Sequence, residues 1–517
     1  MKQPIYYNTI PSFLWIVLIL IGSYSLLVRF DIEFNGGQID EYDYLFVSKM
    51  LFSGQTWETY SYIFGSNLNW YILGIGETIG GLTGARVLSF FMGILSLIGL
   101  YKFTLRLWNS HEIALFSTLF FSIQASHLFI SRFATYDVIA LMFLSFLLPT
   151  FWDALHKQRV KTTAFALSIA FAMLAVTGKY VDIVYVPILT FFAFFISWRI
   201  GILLGVIVGS FLGIYVVLHL NDLRTLYTIQ ILGTHATNST YAEILQMEWR
   251  YLWIGIVAWW IAIVWQFYYY GIKTTKEKTT FILIALLLLA LPLAFYHLQG
   301  RNMISLFKHM VYGLYFLSPV VGWLLWKLLN HFYLHRLAQA GIAIVLIGVA
   351  FYNYALLKAM ENGFPDTRLA IKAVQALPLD ESTTIASEDP YLMRYLLFGK
   401  LPQSHIKELY WMDNNLDGVY TYQDTVSALW DQKFTYVFLN NLINPKANEK
   451  LRNILNQRGY KKIFETKWHT SNLFSRITNG ALELYERTSP PIIPTKNDRM
   501  FCDDSDIYSN PIVDSTK

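Results

Sequence analysis

Long apolar runs decide what this chain can become. Segments near 11–28, 86–105, 112–130, 136–152, 162–178, 181–198, 200–219, 251–270, 279–297, 309–327 and 337–357 are dominated by Leu, Ile, Val, Phe and Ala. A bilayer core takes roughly 20 such residues per helix, because backbone groups left unpaired in hydrocarbon are too costly. The pattern predicts about eleven transmembrane helices. Only 15% of the 517 residues are charged and 55% are hydrophobic, against about 25% charged in a soluble domain. The chain reads as an α-helical polytopic membrane protein embedded among membrane lipids. A net charge of +5 over this length gives a nucleic-acid role no support. The single cysteine, Cys502, excludes an intrachain disulfide and a cysteine metal cluster. The N-terminal apolar run lacks a convincing cleavage site and is read as a retained first helix.

Lys and Arg in short loops set the expected orientation. With a cytoplasmic N-terminus, the inner connections carry Lys102 and Arg106, HKQRVK (156–161), Arg199, KTTKEK (273–278), and Lys327 with Arg336. The outer loops, 29–85 and 220–250 among them, are poorer in clustered cations. The chain is then a multi-pass protein of the inner (cytoplasmic) membrane, with residues 1–357 as its transmembrane domain.

Beyond residue 358 charged residues return and the apolar runs shorten. TTIASED (383–389), TYVFLNN (435–441), YKKIFETKW and ALELYERT read as strands, and NEKLRNILNQRG (448–459) as a helix ended by its glycine. Residues 358–488 are expected to form a small extracytoplasmic α/β domain, and the proline-rich 489–517 a disordered tail.

Ionisable residues at membrane depth are functional candidates by default. Here they gather in the expected outer loops: Asp40, Glu41 and Asp43, then Glu77, SRFATYD (131–137), TGKY (177–180), residues 221–250, and HLQGRNMISLFKHMVY (297–312). Several non-sequential loops meeting at one face of a bundle is how a membrane enzyme builds a site at the bilayer surface.

Five stretches resemble, in order, the GT-C glycosyltransferases that use polyprenyl-phosphate sugars, such as protein O-mannosyltransferases and the lipid A aminoarabinose transferase. IDEYDYLFVSKML (39–51) is similar to their acidic first outer loop, and residues 67–93 to the segment leading into the second helix. SRFATYDVIALMF (131–143) resembles their Ser-Arg…Asp loop, LAVTGKYVDIVYVP (174–187) a Thr-Lys-Gly segment, and LFKHMVYGLYFLSP (306–319) a basic-aromatic helix start. The resemblance implies transfer of a sugar from an undecaprenyl-like phosphate to a lipid, polysaccharide or protein acceptor. It implies Asp40 as the catalytic carboxylate with Glu41 beside it, and Asp137 as the second acid. Asp43, Arg132, Lys179, Arg301, Lys308 and His309 are the expected substrate-binding residues. A divalent metal ion held by Glu77 and His235 is a further expectation. The chain departs from the pattern at Tyr42-Asp43-Tyr44, where relatives carry Ala-Arg-Tyr, and at Ser66 to Asn69, where they carry Lys-Pro-Pro.

Plainer readings compete with these. Asp40 and Glu41 fit a helix cap, Asp137 an ion pair with Arg132, and Lys179 a snorkelling side chain. Lys308 and His309 fit interfacial anchors, and most of the 16 Trp and 34 Tyr an aromatic belt. For the whole protein the alternatives are a transporter or flippase for a lipid-linked glycan, an O-antigen polymerase or ligase, and a scaffold displaying the C-terminal domain. Charge placed at helix ends and the absence of an evident internal repeat weigh against a transporter.

Overall fold

The computed structural model describes residues 12–55, 68–156, 162–226, 239–274, 277–303, 305–331, 336–409, 422–441, 445–469 and 479–488. They form two compact units, one within Met1–Ile32 and Trp57–Leu357, the other within Glu33–Thr56 and Lys358–Lys517.

The helices, in chain order, begin with α1 (Ser12–Arg29), α2 (Ile39–Phe52), α3 (Leu68–Trp108), α4 (His111–Ser122) and α5 (Ala125–Ile130). They continue with α6 (Tyr136–His156), α7 (Thr162–Gly178), α8 (Tyr185–Ile196), α9 (Trp198–Leu218) and α10 (Leu220–Leu226). Then follow α11 (Tyr241–Thr274), α12 (Glu277–Ala290), α13 (Pro292–Gly300), α14 (Leu306–His331) and α15 (Arg336–Glu361). All of these except α2 build the first unit, to which the start of α15 contributes up to Leu357. Every apolar segment expected from the sequence is helical, and among the described residues seven helices are long and apolar enough to cross a membrane. Three more apolar helices, Leu14–Arg29, Thr162–Gly178 and Tyr180–Ile196, are shorter.

Several expected segments differ in detail, and parts of the expected outer loops are helical, as α2, the first part of α3 and α10. Residues 112–130 are broken between α4 and α5, and 279–297 between α12 and α13. Residues 241–250, expected in a loop, are the first turns of α11. The α4/α5 break keeps its backbone groups paired, as hydrocarbon requires. Ser25 Oγ and Arg29 Nη2 donate to the Ser122 carbonyl at 3.1 and 2.8 Å, and the Ala125 N–H donates to Asn353 Oδ1 at 2.8 Å. A kink in α3 falls at Gly80 and Gly81, where Gly81 takes φ 61°, a conformation that favours glycine.

The most enclosed span is Leu306–His331, with 83% of its apolar window buried, against 22% for Trp198–Leu218. The first is therefore central and the second faces lipid. α14 packs on α4, α11, α12 and α13. Close approach to α4 depends on Gly322, whose position would bring a Cβ within 2.0 Å of Ser117 Oγ and 2.6 Å of the Ile113 carbonyl. Small residues let membrane helices approach in this way.

The second unit holds α2, α16 (Arg368–Gln375), β1 (Ile385–Ser387), α17 (Pro390–Leu396), β2 (Ile406–Glu408), α18 (Tyr422–Trp430), β3 (Tyr436–Leu439), α19 (Pro445–Gln457), β4 (Tyr460–His469) and β5 (Asn479–Arg487). The sheet order is β2-β1-β3-β5-β4, with β1 parallel to β2 and β3, and β5 antiparallel to β3 and β4. β1 and β3 are buried at every position, as strands covered on both faces must be. Val437, Leu439, Leu451, Leu455 and Tyr485 lie in its core.

The acidic stretch from the N-terminal part is built into this unit. Thr367 N–H donates to the Asn35 carbonyl at 3.0 Å, and Thr367 Oγ1 to the Gly37 carbonyl at 2.8 Å. Tyr42 of α2 lies 5.3 Å from Tyr395 between ring centres, Phe46 lies 6.2 Å from Tyr391, and Lys49 Nζ sits 4.1 Å above Tyr395. The expected tail, 489–517, lies outside the described residues.

Overpacking a tight helix contact costs about 1–3 kcal/mol. Gly322→Leu is therefore expected to lower the thermal unfolding midpoint in detergent. Gly348→Leu, at a position with nothing within 4 Å, is expected to leave it in place.

Candidate active site

Three breaks between helices, α5 to α6, α7 to α8 and α13 to α14, bring one polar cluster together inside the first unit. Asp137 lies in the first turn of α6, where the helix dipole favours a carboxylate. Thr135 Oγ1 donates to its Oδ2 at 2.8 Å. Lys179 stands between α7 and a 3-10 turn at Tyr180–Val184, and its Nζ pairs with Asp137 Oδ1. The same Nζ lies 2.8 Å from His309 Nε2, in the first turn of α14, and 4.6 Å from the centre of the Tyr136 ring. His309 Nδ1 is 2.7 Å from His297 Nε2, and His297 Nδ1 is 2.7 Å from the Asn302 carbonyl. Asp137, Lys179, His297 and His309 are all buried.

Arg132 lies elsewhere, so the pairing of Asp137 with Arg132 that sequence allows is replaced by the pair with Lys179. After α5 ends at Ile130 the chain turns, and Arg132 Nη1 reaches back to the end of α1, donating to the Asp31 carbonyl at 2.9 Å and lying 3.6 Å from Asp31 Oδ2. Lys308 is buried with its Nζ 5.1 Å above Phe133, close enough to exert its field on Asp137 and Lys179. Arg301 closes α13 in the left-handed conformation at φ 47°, exposed, with its guanidinium 5.6 Å from the Tyr241 ring. Glu77 is half-buried in the first part of α3, and His235 lies outside the described residues. Among the described residues no group of three or more His, Cys, Asp or Glu is arranged to hold a metal ion.

In the second unit, Glu41 is fully buried and its carboxylate accepts the Gln38 N–H at 3.1 Å, which caps α2. Asp40 is half-buried in the same first turn, and Asp43 is buried on α2. Burial, and then the charges of Asp40, Asp389 and Glu408, push the Asp43 carboxyl well above the usual range, with Arg394 opposing them. Asp389 caps α17 by accepting the Leu392 N–H at 3.1 Å, and burial raises its pKa to about 7. Burial also raises Glu408.

A family model, dolichyl-phosphate-mannose-protein mannosyltransferase, matches residues 38–227, which include both acidic stretches and Lys179. The chain has the GT-C fold, and this with the family model supports a membrane glycosyltransferase. Its fold is similar to that of ArnT from Cupriavidus metallidurans bound to undecaprenyl phosphate, at a TM-score of 0.58 and 13% identity over 93% of this chain and 99% of that one. It is also similar to the archaeal oligosaccharyltransferase AglB from Archaeoglobus fulgidus in complex with an inhibitory peptide and a dolichol-phosphate, at a TM-score of 0.56 and 12% identity over 91% of this chain and 74% of that one. The Archaeoglobus fulgidus oligosaccharyltransferase in complex with Zn and sulfate matches at a TM-score of 0.50 and 13% identity, over 82% of this chain and 68% of that one. No curated protein matches the glycosyltransferase by sequence.

Two buried groups of the glycosyltransferase escaped the sequence reading. His297 sits one helix away from the motif it completes, and only the fold joins it to His309. Asp182 is buried beside the Tyr312 hydroxyl. Its one sequence signal is a lone acid within VDIVYV (181–186).

The acids around Asp43 make the second unit of the glycosyltransferase sensitive to pH. Between the ordinary aspartate pKa and about 7, folded Asp389 holds a proton that the unfolded chain releases, so stability falls as pH rises through that window. The opening free energy of residues 385–397, measured by hydrogen exchange and corrected for its intrinsic pH dependence, is expected to be greater at pH 5 than at pH 8. Asp389→Asn, whose amide still caps α17, is expected to lose part of this slope, and Asp43→Asn with Asp389→Asn most of it. An unchanged slope in the double variant would refute the assignment.

Proposed function

We propose that this glycosyltransferase moves a sugar from a polyprenyl-phosphate carrier to a hydroxyl acceptor on the outer side of the cytoplasmic membrane. The observation that carries the reading is the buried Asp137–Lys179 pair, built where helices break and lying within the stretch matched by the family model, with Lys308 of α14 in its field. Undecaprenyl phosphate and dolichol-phosphate in the similar structures support a donor of this class.

The reaction breaks the bond between the sugar's anomeric carbon and a phosphate oxygen and forms one to the acceptor oxygen, with inversion. The acceptor's proton passes to a carboxylate, and the electron pair leaves with the lipid phosphate. Asp40 is the proposed base, a role worth typically 10²–10⁴-fold. Glu41 holds the helix that carries it. The departing phosphate needs cationic charge, which we assign to Lys308 and Arg301. Asp137 and Lys179 form the buried pair against which Lys308 is set. Arg132 is assigned to the end of α1 through Asp31, and Asp43 to the acid cluster of the second unit. Glu77 keeps its place as a candidate metal ligand, its expected partner His235 lying outside the described residues.

Transfer from a polyprenyl-phosphate sugar, followed by mass spectrometry of envelope glycolipids and glycoproteins, is expected to fall by about 10²–10⁴-fold in Asp40→Asn. Undiminished transfer in that variant would overturn the role of Asp40, and no change in any glycan on deleting the gene would overturn the function. The orientation has its own check: a reporter fused after Lys358 is expected on the outer side, and a cytoplasmic signal would reverse the topology.

A further inference from the structure

The line Asp137, Lys179, His309, His297, Asn302 has ends that dictate where its hydrogens lie. The Asn302 carbonyl oxygen only accepts, so His297 Nδ1, 2.7 Å away, carries a hydrogen. The other nitrogen of a neutral His297 is then bare, and His309 Nδ1 at 2.7 Å donates to it. That leaves His309 Nε2 bare, facing Lys179 Nζ at 2.8 Å. The opposite end makes the same demand. An ammonium has three donors and no acceptor, so Lys179 needs acceptors at both His309 Nε2 and Asp137 Oδ1.

We propose that His309 and His297 are positioning residues, locked as Nδ1–H tautomers, that hold Lys179 as an ammonium on Asp137 and do not themselves bind the substrate phosphate. This moves His309 from the set expected to touch phosphate to the layer behind it, and adds His297. The relay also makes the pair sensitive to acid. A proton gained by either imidazole leaves an N–H facing the N–H of Lys179 or the next ring, and His309 stops accepting. The charged and titratable groups around it are Lys179 and Asp137 at the α6 and α7 ends, Asp182 in the 3-10 turn, His297 and Tyr296 on α13, and Lys308 beside it.

The tautomers are read directly by ¹⁵N spectra of the full chain labelled at histidine, in detergent or nanodiscs, with His297→Gln and His309→Gln used for assignment. Both rings are expected as the Nδ1–H form at neutral pH. An Nε2–H form or an imidazolium at either position would overturn the proposal. The activity arm rests on the transferase reading. His309→Leu, which removes both links, is expected to lower kcat by about 10²-fold through misplacement of the pair, with KM for the donor little changed. His309→Gln, whose amide oxygen faces Lys179 and whose NH₂ faces His297, is expected to recover most of that loss and to flatten the acid limb of the pH profile. Equal damage from Leu and Gln, or a rise in KM alone, would make His309 something other than a positioning residue. Expected spectra without any transfer would sink the transferase reading and leave the relay standing.

Discussion

Hydrocarbon offers no water to an unpaired backbone group, and the rest of the first unit follows from that. Its chain is helical along its apolar segments, and the break between α4 and α5 has a local remedy. The carbonyl freed at Ser122 is held by Ser25 and Arg29, and the N–H freed at Ala125 by Asn353. Arg29 is itself held by neutral groups, with His127 Nδ1 at 2.6 Å and the Ser25 carbonyl at 2.8 Å. His127 passes this on to Ser96 Oγ at 2.9 Å, tying α1, α3 and α5 at one point. Breaks are thus where polar side chains become necessary, and they are also where chemistry can be placed. The Asp137 cluster occupies three of them.

Within that cluster the governing term is desolvation. An exposed ion pair contributes about 0–1 kcal/mol, but removing one partner of a buried pair costs about 3–5 kcal/mol because a charge is left without compensation. Asp137 and Lys179 are therefore held strongly to each other, and through them α6 is held to the junction after α7 and to the start of α14. Rigidity of this kind suits a site that must present charge to a leaving phosphate without reorganising. The second unit meets buried acidity differently. Burial raises the carboxyl pKa values of Asp43, Asp389 and Glu408, the first two also under the charge of Asp40, and so favours their neutral forms.

Much of this was legible in residue order. The apolar segments, the strands in TTIASED and TYVFLNN, and the helix before Gly459 depend on local periodicity and turn residues, and each formed near its expected place. Asp137, Lys179 and His309 stood out as polar residues at the ends of apolar runs, and the fold brings them into one cluster. Their partners were not legible. Whether Asp137 meets Arg132 or Lys179 depends on how the chain turns after Ile130, and spacing does not encode that turn. Glu41, expected beside Asp40 from the resemblance, is buried and accepts the Gln38 N–H behind it, a contact that spacing does not encode by itself. The break between α4 and α5 was hidden because hydropathy is blind to hydrogen bonds supplied from α1 and α15.

By itself the sequence determined that this is a membrane protein of many helices with a small α/β portion, and that its ionisable residues cluster at helix ends. Periodicity, hydropathy and the cost of unpaired backbone groups are properties of each segment alone. Tertiary structure decided which charges are neutralised. It joined Lys179 to Asp137 and His309, placed His297 behind them, and put Asp40 to Asp43 in the same unit as the C-terminal sheet. Those outcomes rest on distance and burial, and a few ångströms in a medium without water separate a committed charge from one available to a substrate.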